Sequence, residues 1–144
     1  MFGRGFDSRH LHSMWDPLRR KDVASTPEEQ VRQWFIGVLR SSVGVPMHEM
    51  SSEVPFSFGH KSYRADILVY DRAQKPLAVV ECKRPGVALG PAVGEQALRY
   101  NSVLDVRWIF LTNGQKTVLL RREPSTGAFA PCEEIPSYEQ MCLL

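Results

Sequence analysis

Asp66 lies within Arg64-Ala65-Asp66-Ile67-Leu68-Val69-Tyr70, and Glu81 and Lys83 lie within Leu77-Ala78-Val79-Val80-Glu81-Cys82-Lys83. Both runs otherwise read as buried β-strand, and a lone carboxylate taken out of water costs several kcal/mol. Alternation along a strand puts Glu81 and Lys83 on one face and Cys82 on the other. Asp71-Arg72-Ala73-Gln74-Lys75-Pro76 between the runs is polar and closed by proline, as a hairpin loop is. If Tyr70 and Leu77 pair across that loop, Asp66 falls directly opposite Glu81. Facing carboxylates destabilise an antiparallel ladder by up to about 1 kcal/mol. A hard cation removes that repulsion. Mg²⁺, for which Mn²⁺ can substitute, is held by one or two carboxylates plus waters and phosphate oxygens. Lys83 beside it could stabilise charge on a phosphate or orient a water. The chemistry indicated is attack on a phosphodiester; the competing reading is a surface charge cluster at strand ends, which the apolar flanks disfavour.

The elements that would position these groups follow from periodicity and caps. Thr26, Pro27 and Glu29 supply an N-cap, a first helical residue and a capping-box acid. Val31, Trp34, Phe35, Val38 and Leu39 form the predicted core stripe of that helix. Glu28 lies nearer the stripe than Glu29. A strand is predicted over 53–58, a turn at Gly59-His60-Lys61, then the Asp66 and Glu81 strands. Arg84-Pro85-Gly86 ends the last of these, and Gly90-Pro91 opens a helix over about 92–104 with Val93, Ala97, Tyr100 and Leu104 inward. Gln96 and Tyr100, spaced i, i+4, reach one neighbourhood; they are equally a helix-surface residue and a core aromatic with a wet tip. Asn113-Gly114 joins two strands as a hairpin, the second from 116, and lacks the upstream glycine of a phosphate loop. The crossover helix predicts that the strand at 107–112 runs parallel to an earlier one.

The reading is therefore a mixed α+β (α/β) domain over 25–122 in the order αβββαββ, a mixed central sheet flanked by helices. Residues 1–24 read as a loosely ordered basic arm whose Arg19-Arg20-Lys21 cluster is a solvated run or a phosphate contact. Residues 123–144 read as an irregular tail with a short helix near 137–144. With 144 residues, 43% hydrophobic and 24% charged, the chain has the make-up of one soluble domain. A net charge of +2 does not by itself indicate nucleic acid. Cys82, Cys132 and Cys142 lack metal-ligand spacing and read as free thiols, and His10-Leu11-His12 reads as tail. No membrane span or signal peptide is evident, and a cytoplasmic location is expected.

The set Pro27-Glu28-Glu29-Gln30-Val31-Arg32, RADILVY, VVECK and EQALRYN resembles the PD-(D/E)XK nuclease superfamily, and within it the N-terminal nuclease domain of type I restriction enzyme R subunits. The likeness runs from about Pro27 to about Arg121; Ala65 stands where the superfamily's name has proline. The resemblance implies a restriction-endonuclease-like fold and Mg²⁺-dependent DNA cleavage. Asp66 and Glu81 match the metal-binding acids, Lys83 the catalytic lysine, and Gln96 and Tyr100 the Gln-x-x-x-Tyr motif. It also implies a helix glutamate, for which Glu28 is the candidate, though an acid at that position equally suits the positive end of the helix dipole, and the Cys82 backbone carbonyl as a further metal ligand. Arg64, Arg84 and Arg99 are candidate DNA-backbone contacts. R subunits fuse this domain to a motor, so a motor or other restriction–modification subunits are implied partners. Two other classes stay open: a catalytically silent nucleic-acid-binding module, or an interaction subunit whose acids pair with Arg64 and Arg99. Intrinsic sequence specificity is not expected, because no recognition element is evident.

Overall fold

The computed structural model describes residues 12–144. It begins with a two-stranded antiparallel hairpin, β1 (Ser13–Asp16) and β2 (Lys21–Ala24), where the sequence predicted a loose arm. Asp16 is buried, caps the turn by accepting from the Leu18 N–H, and pairs with Arg19; that internal ion pair orders a segment too polar to signal a strand. His10 of the predicted tail lies outside the described residues.

Helix α1 (Pro27–Val38) follows, with the Thr26 side chain accepting from the Glu29 N–H at its start. Gly44, at φ +85°, ends the wider turn that extends the helix over Leu39–Val43. Six strands then form one sheet in spatial order β3 (Met50–Phe58), β4 (Lys61–Tyr70), β5 (Pro76–Cys82), β6 (Trp108–Thr112), β7 (Thr117–Arg122) and β8 (Phe129–Cys132). Helix α2 (Pro91–Leu104) carries the chain back along the sheet, so β5 and β6 run parallel, as its position predicted; the other neighbours are antiparallel. Helix α3 (Tyr138–Leu143), with a full capping box from Ser137 and Gln140, closes the chain.

The tail is thus more regular than its prolines suggest. Pro131 sits on β8 and Pro55 on β3, the two edge strands, where a missing N–H leaves no ladder bond unmade. β3 also starts at Met50, three residues before the predicted strand.

Helix α1 buries Val31, Phe35 and Ile36 against Ile67, Val69, Val80, Trp108 and Phe110, with the Phe35 and Phe110 rings edge-on at 5.3 Å. Trp34, predicted inside, is 48% exposed, and Ile36 and Arg32 take the inward positions instead. The stripe is rotated by about one residue because Arg32 is drawn to acids on the sheet. Helix α2 covers the opposite face, setting Ala97 and Tyr100 against Ala65, Leu68, Val79, Ile109 and Leu111. Along β5 and β6 the faces alternate cleanly, Val80 and Phe110 toward α1 and Val79 and Ile109 toward α2.

The turn at Asn113-Gly114 touches α1. Gly114 has φ +85°, and a Cβ there would come within 3.2 Å of a Val31 methyl carbon. Gly114→Ala is expected to lower stability by about 1–2 kcal/mol through the left-handed backbone alone, read as a lower urea midpoint; an unchanged midpoint would remove this constraint.

Candidate active site

The hairpin of β4 and β5 pairs Ile67 with Val80, Leu68 with Val79 and Val69 with Ala78, the register that sets Asp66 level with Glu81. Only the loop end departs: an irregularity after Val69 pairs Tyr70 with Pro76 rather than with Leu77. The ladder stops at Ile67. Asp66 is also unpaired on its other side, where Ser52 pairs with Ile67 and Val54 with Ala65. Across that gap stands Glu53, a non-glycine residue at φ +55°, a conformation that costs roughly 1–3 kcal/mol and persists only when its surroundings enforce it. Ala65 packs toward α2 while Ile67 packs toward α1, so the faces of the sheet exchange across Asp66. The strand opens at the acid.

The opening is closed by side chains. Asp66 Oδ2 accepts from the Cys82 backbone N–H at 2.7 Å, substituting for the carbonyl the ladder no longer supplies. Asp66 Oδ1 accepts from Arg32 Nη2 at 3.1 Å, and Arg32 Nη1 reaches Glu53 Oε1 at 2.7 Å. On the neighbouring strand, Glu81 Oε1 lies 3.3 Å from Lys83 Nζ. Glu81 Oε2 is buried with no hydrogen-bond partner among the described residues. The Tyr100 hydroxyl faces Glu81 and accepts from Gln96 Nε2 at 3.2 Å. Tyr100 is itself 2% exposed, its ring set edge-on to Phe56 at 4.9 Å, so its hydroxyl addresses Glu81 from within the core.

Among the described residues no three His, Cys, Asp or Glu side chains converge as a ready-made metal cage. What converges is two carboxylates and the backbone of Cys82, whose carbonyl projects to the same β4-facing edge as its N–H. That donor set suits Mg²⁺, which keeps most of its waters, and the orphan Glu81 oxygen is a position a cation would satisfy.

A family model for the type I restriction enzyme R protein N terminus matches residues 27–136. The chain belongs to that family. The solved structure of a fragment named as the HsdR subunit of a type I restriction enzyme from Vibrio vulnificus YJ016 has the same fold, with a TM-score of 0.56 and 21% identity over 79% of this chain. The chain spans 24% of that fragment's length. No curated protein matches the chain.

Within this R-protein N-terminal module the other predicted residues are more scattered. Glu28 is half-buried, and its charge reaches Asp66. Glu29, predicted to point away, is the more buried of the two, because Arg19 from the N-terminal hairpin folds over it at 2.7 Å. Thr26 caps the Glu29 N–H, but the Glu29 carboxylate serves Arg19 and Gln33 rather than a capping box. Arg84 is exposed and lines a cleft of about 620 Å³ with Arg19, Lys21, Glu28, Arg32 and Glu53. Arg64 is exposed and lies 3.7 Å from Glu53, and Arg99 is exposed on α2. The cations that pair with Asp66 and Glu81 are Arg32 and Lys83, not Arg64 and Arg99. Sequence reasoning missed Glu53 and Arg32. Arg32 could have been found, since it shares a helical face with Glu28, Phe35 and Ile36.

Burial raises both acids. Glu81 is pushed up to about 7, chiefly by desolvation and then by the Asp66 charge, with Lys83 opposing. Asp66 is pushed up to about 6 by desolvation, with the Cys82 N–H and Arg32 opposing and Glu28 and Glu53 adding. Between their ordinary carboxylate values and these, the folded chain binds more protons than the unfolded chain, so stability must fall as pH rises through that window. In chelator, the urea midpoint is expected to be higher at about pH 5.5 than at about pH 7.5, and Glu81→Gln to flatten the difference. A wild-type midpoint that rises with pH across this window would contradict the burial of ionisable acids.

Proposed function

We propose that this module hydrolyses DNA phosphodiesters in a Mg²⁺-dependent reaction, with no sequence specificity of its own. The observation that carries the reading is the buried Glu81, with one oxygen unpaired and the other on Lys83, level with Asp66 at the point where the sheet opens. A stable protein has no structural use for such an arrangement, since an apolar pair would hold the strands at no desolvation cost. Asp66, Glu81 and the Cys82 carbonyl would hold the ion, with Glu28 as the acid contributed by the helix. Bound there, Mg²⁺ supplies a water of lowered pKa and neutralises phosphoryl charge.

The chain's own residues do the rest. Lys83, with its side chain 24% exposed, can reach from Glu81 to a phosphate oxygen and stabilise the charge that develops in the transition state. Gln96 orients the Tyr100 hydroxyl, which faces the Glu81 carboxylate from the α2 side. Arg64 and Arg84, exposed near the acids, favour the sugar–phosphate backbone without reading bases. A motor or other restriction–modification subunits would deliver the DNA.

One feature favours a second reading, a silent nucleic-acid-binding module: both oxygens of Asp66 are already engaged, one by Arg32 and one by Cys82. A plasmid-nicking assay with Mg²⁺ or Mn²⁺ separates the two. Asp66→Ala and Lys83→Ala are each expected to lower the nicking rate by roughly 10²-fold or more while leaving a cooperative melt. A variant that nicks as fast as wild type would remove that residue from the chemistry, and no nicking by wild type with either ion would favour the silent module.

A further inference from the structure

Arg32 is buried at 5% exposure on the sheet-facing side of α1, a position that ordinarily holds an apolar side chain. Its guanidinium meets three acids from three elements: Glu53 Oε1 at 2.7 Å on β3, Asp66 Oδ1 at 3.1 Å on β4 and Glu29 Oε1 at 3.6 Å on its own helix. Its Nε has no hydrogen-bond partner among the described residues. The fork is therefore aimed at the acids, and the stem is left unsatisfied to achieve it. Glu53 holds a left-handed backbone at the same place, level with Asp66, and turns its carboxylate to Arg32.

We propose that Arg32 is a positioning residue, the chain's own counter-cation for Glu53 and Asp66, which holds the opened strand in register when no divalent ion is present. A row of three acids, Glu53, Asp66 and Glu81, crosses three neighbouring strands. Without a positive charge among them the strands would separate or the acids would take up protons. The planar fork suits the task because it donates to two carboxylates at once, which a lysine cannot do in a fixed geometry. The part of this inference that concerns the divalent ion rests on the nuclease reading; the part that concerns the acids does not.

A double-mutant cycle in chelator tests it by thermal melting. Arg32→Met is expected to lower the melting temperature by about 10 °C, since it strands buried carboxylates. Arg32→Met combined with Asp66→Asn is expected to recover much of that loss, because the double variant leaves no uncompensated charge at that pair. A purely packing role predicts additive losses instead, and additivity would overturn the proposal. Should Arg32→Met fail to fold, Arg32→Lys keeps the charge and loses the fork; its melting temperature should rise on adding Asp66→Asn, and a further fall would overturn the proposal equally. With millimolar Mn²⁺ added, Arg32→Met is expected to gain more than wild type, because the ion restores the missing charge, and equal gains would show that the guanidinium is no stand-in for a cation. If wild type gains nothing from Mn²⁺ while the cycle in chelator is coupled, the nuclease reading fails and the role of Arg32 stands.

Discussion

Negative charge held away from water, at a gap in a β-sheet, is the constraint around which this structure is arranged. Asp66 belongs to neither of the ladders that flank it. The Cys82 backbone amide and Arg32 from the α1 layer supply to Asp66 what the missing ladder bonds and the missing water would have supplied, and Lys83, just past the end of β5, does the same for one oxygen of Glu81. The two layers of helix have corresponding tasks. Helix α1 brings Arg32 down onto the acids from one face, and α2 brings Gln96 and Tyr100 to Glu81 from the other. The apolar contacts of Phe35, Phe110, Ala97 and Ile109 fix those helices, and so fix the charges.

The strands and their acids were legible in the sequence because apolar runs of strand length, a polar loop ending in proline and strict alternation leave little choice of register. The ladder at Ile67–Val80 and the parallel pairing of β5 with β6 agree with that reading. The ends of the chain were not legible. The hairpin of β1 and β2 is held by the buried Asp16 and by Arg19, a charge arrangement with no periodic signature. β8 contains a proline that suits only an edge, and edge position is a tertiary property. Glu53 was invisible for a related reason, since nothing local marks a residue that will adopt a positive φ to meet an arginine twenty-one positions earlier. Trp34 reads as core by size, yet it yields that place to Ile36 once Arg32 must face inward.

The family match begins at Pro27, whereas the network of charges begins earlier, at Asp16 and Arg19. Arg19 holds Glu29 at 2.7 Å and lies 3.9 Å from Glu53, so the hairpin is joined to the acids through two ion pairs. Breaking the hairpin should therefore be felt at Glu53 and Arg32 before it is felt in the sheet. Short surface ion pairs contribute little to stability, but these are largely buried and share partners, which makes them a positional device more than a source of folding energy.

Titration calorimetry with Mn²⁺ near neutral pH, repeated in two buffers of different ionisation enthalpy, decides whether the buried acids at the gap serve a cation. If Asp66 and Glu81 carry raised pKa values because they wait, desolvated, for a cation, binding must expel protons, and the observed heat must differ between the buffers in proportion to their ionisation enthalpies. Saturable binding with buffer-dependent heat, lost in Glu81→Gln, is the expected result. Heat that is the same in both buffers, or the absence of binding, would mean that these acids are buried for some reason other than a metal ion.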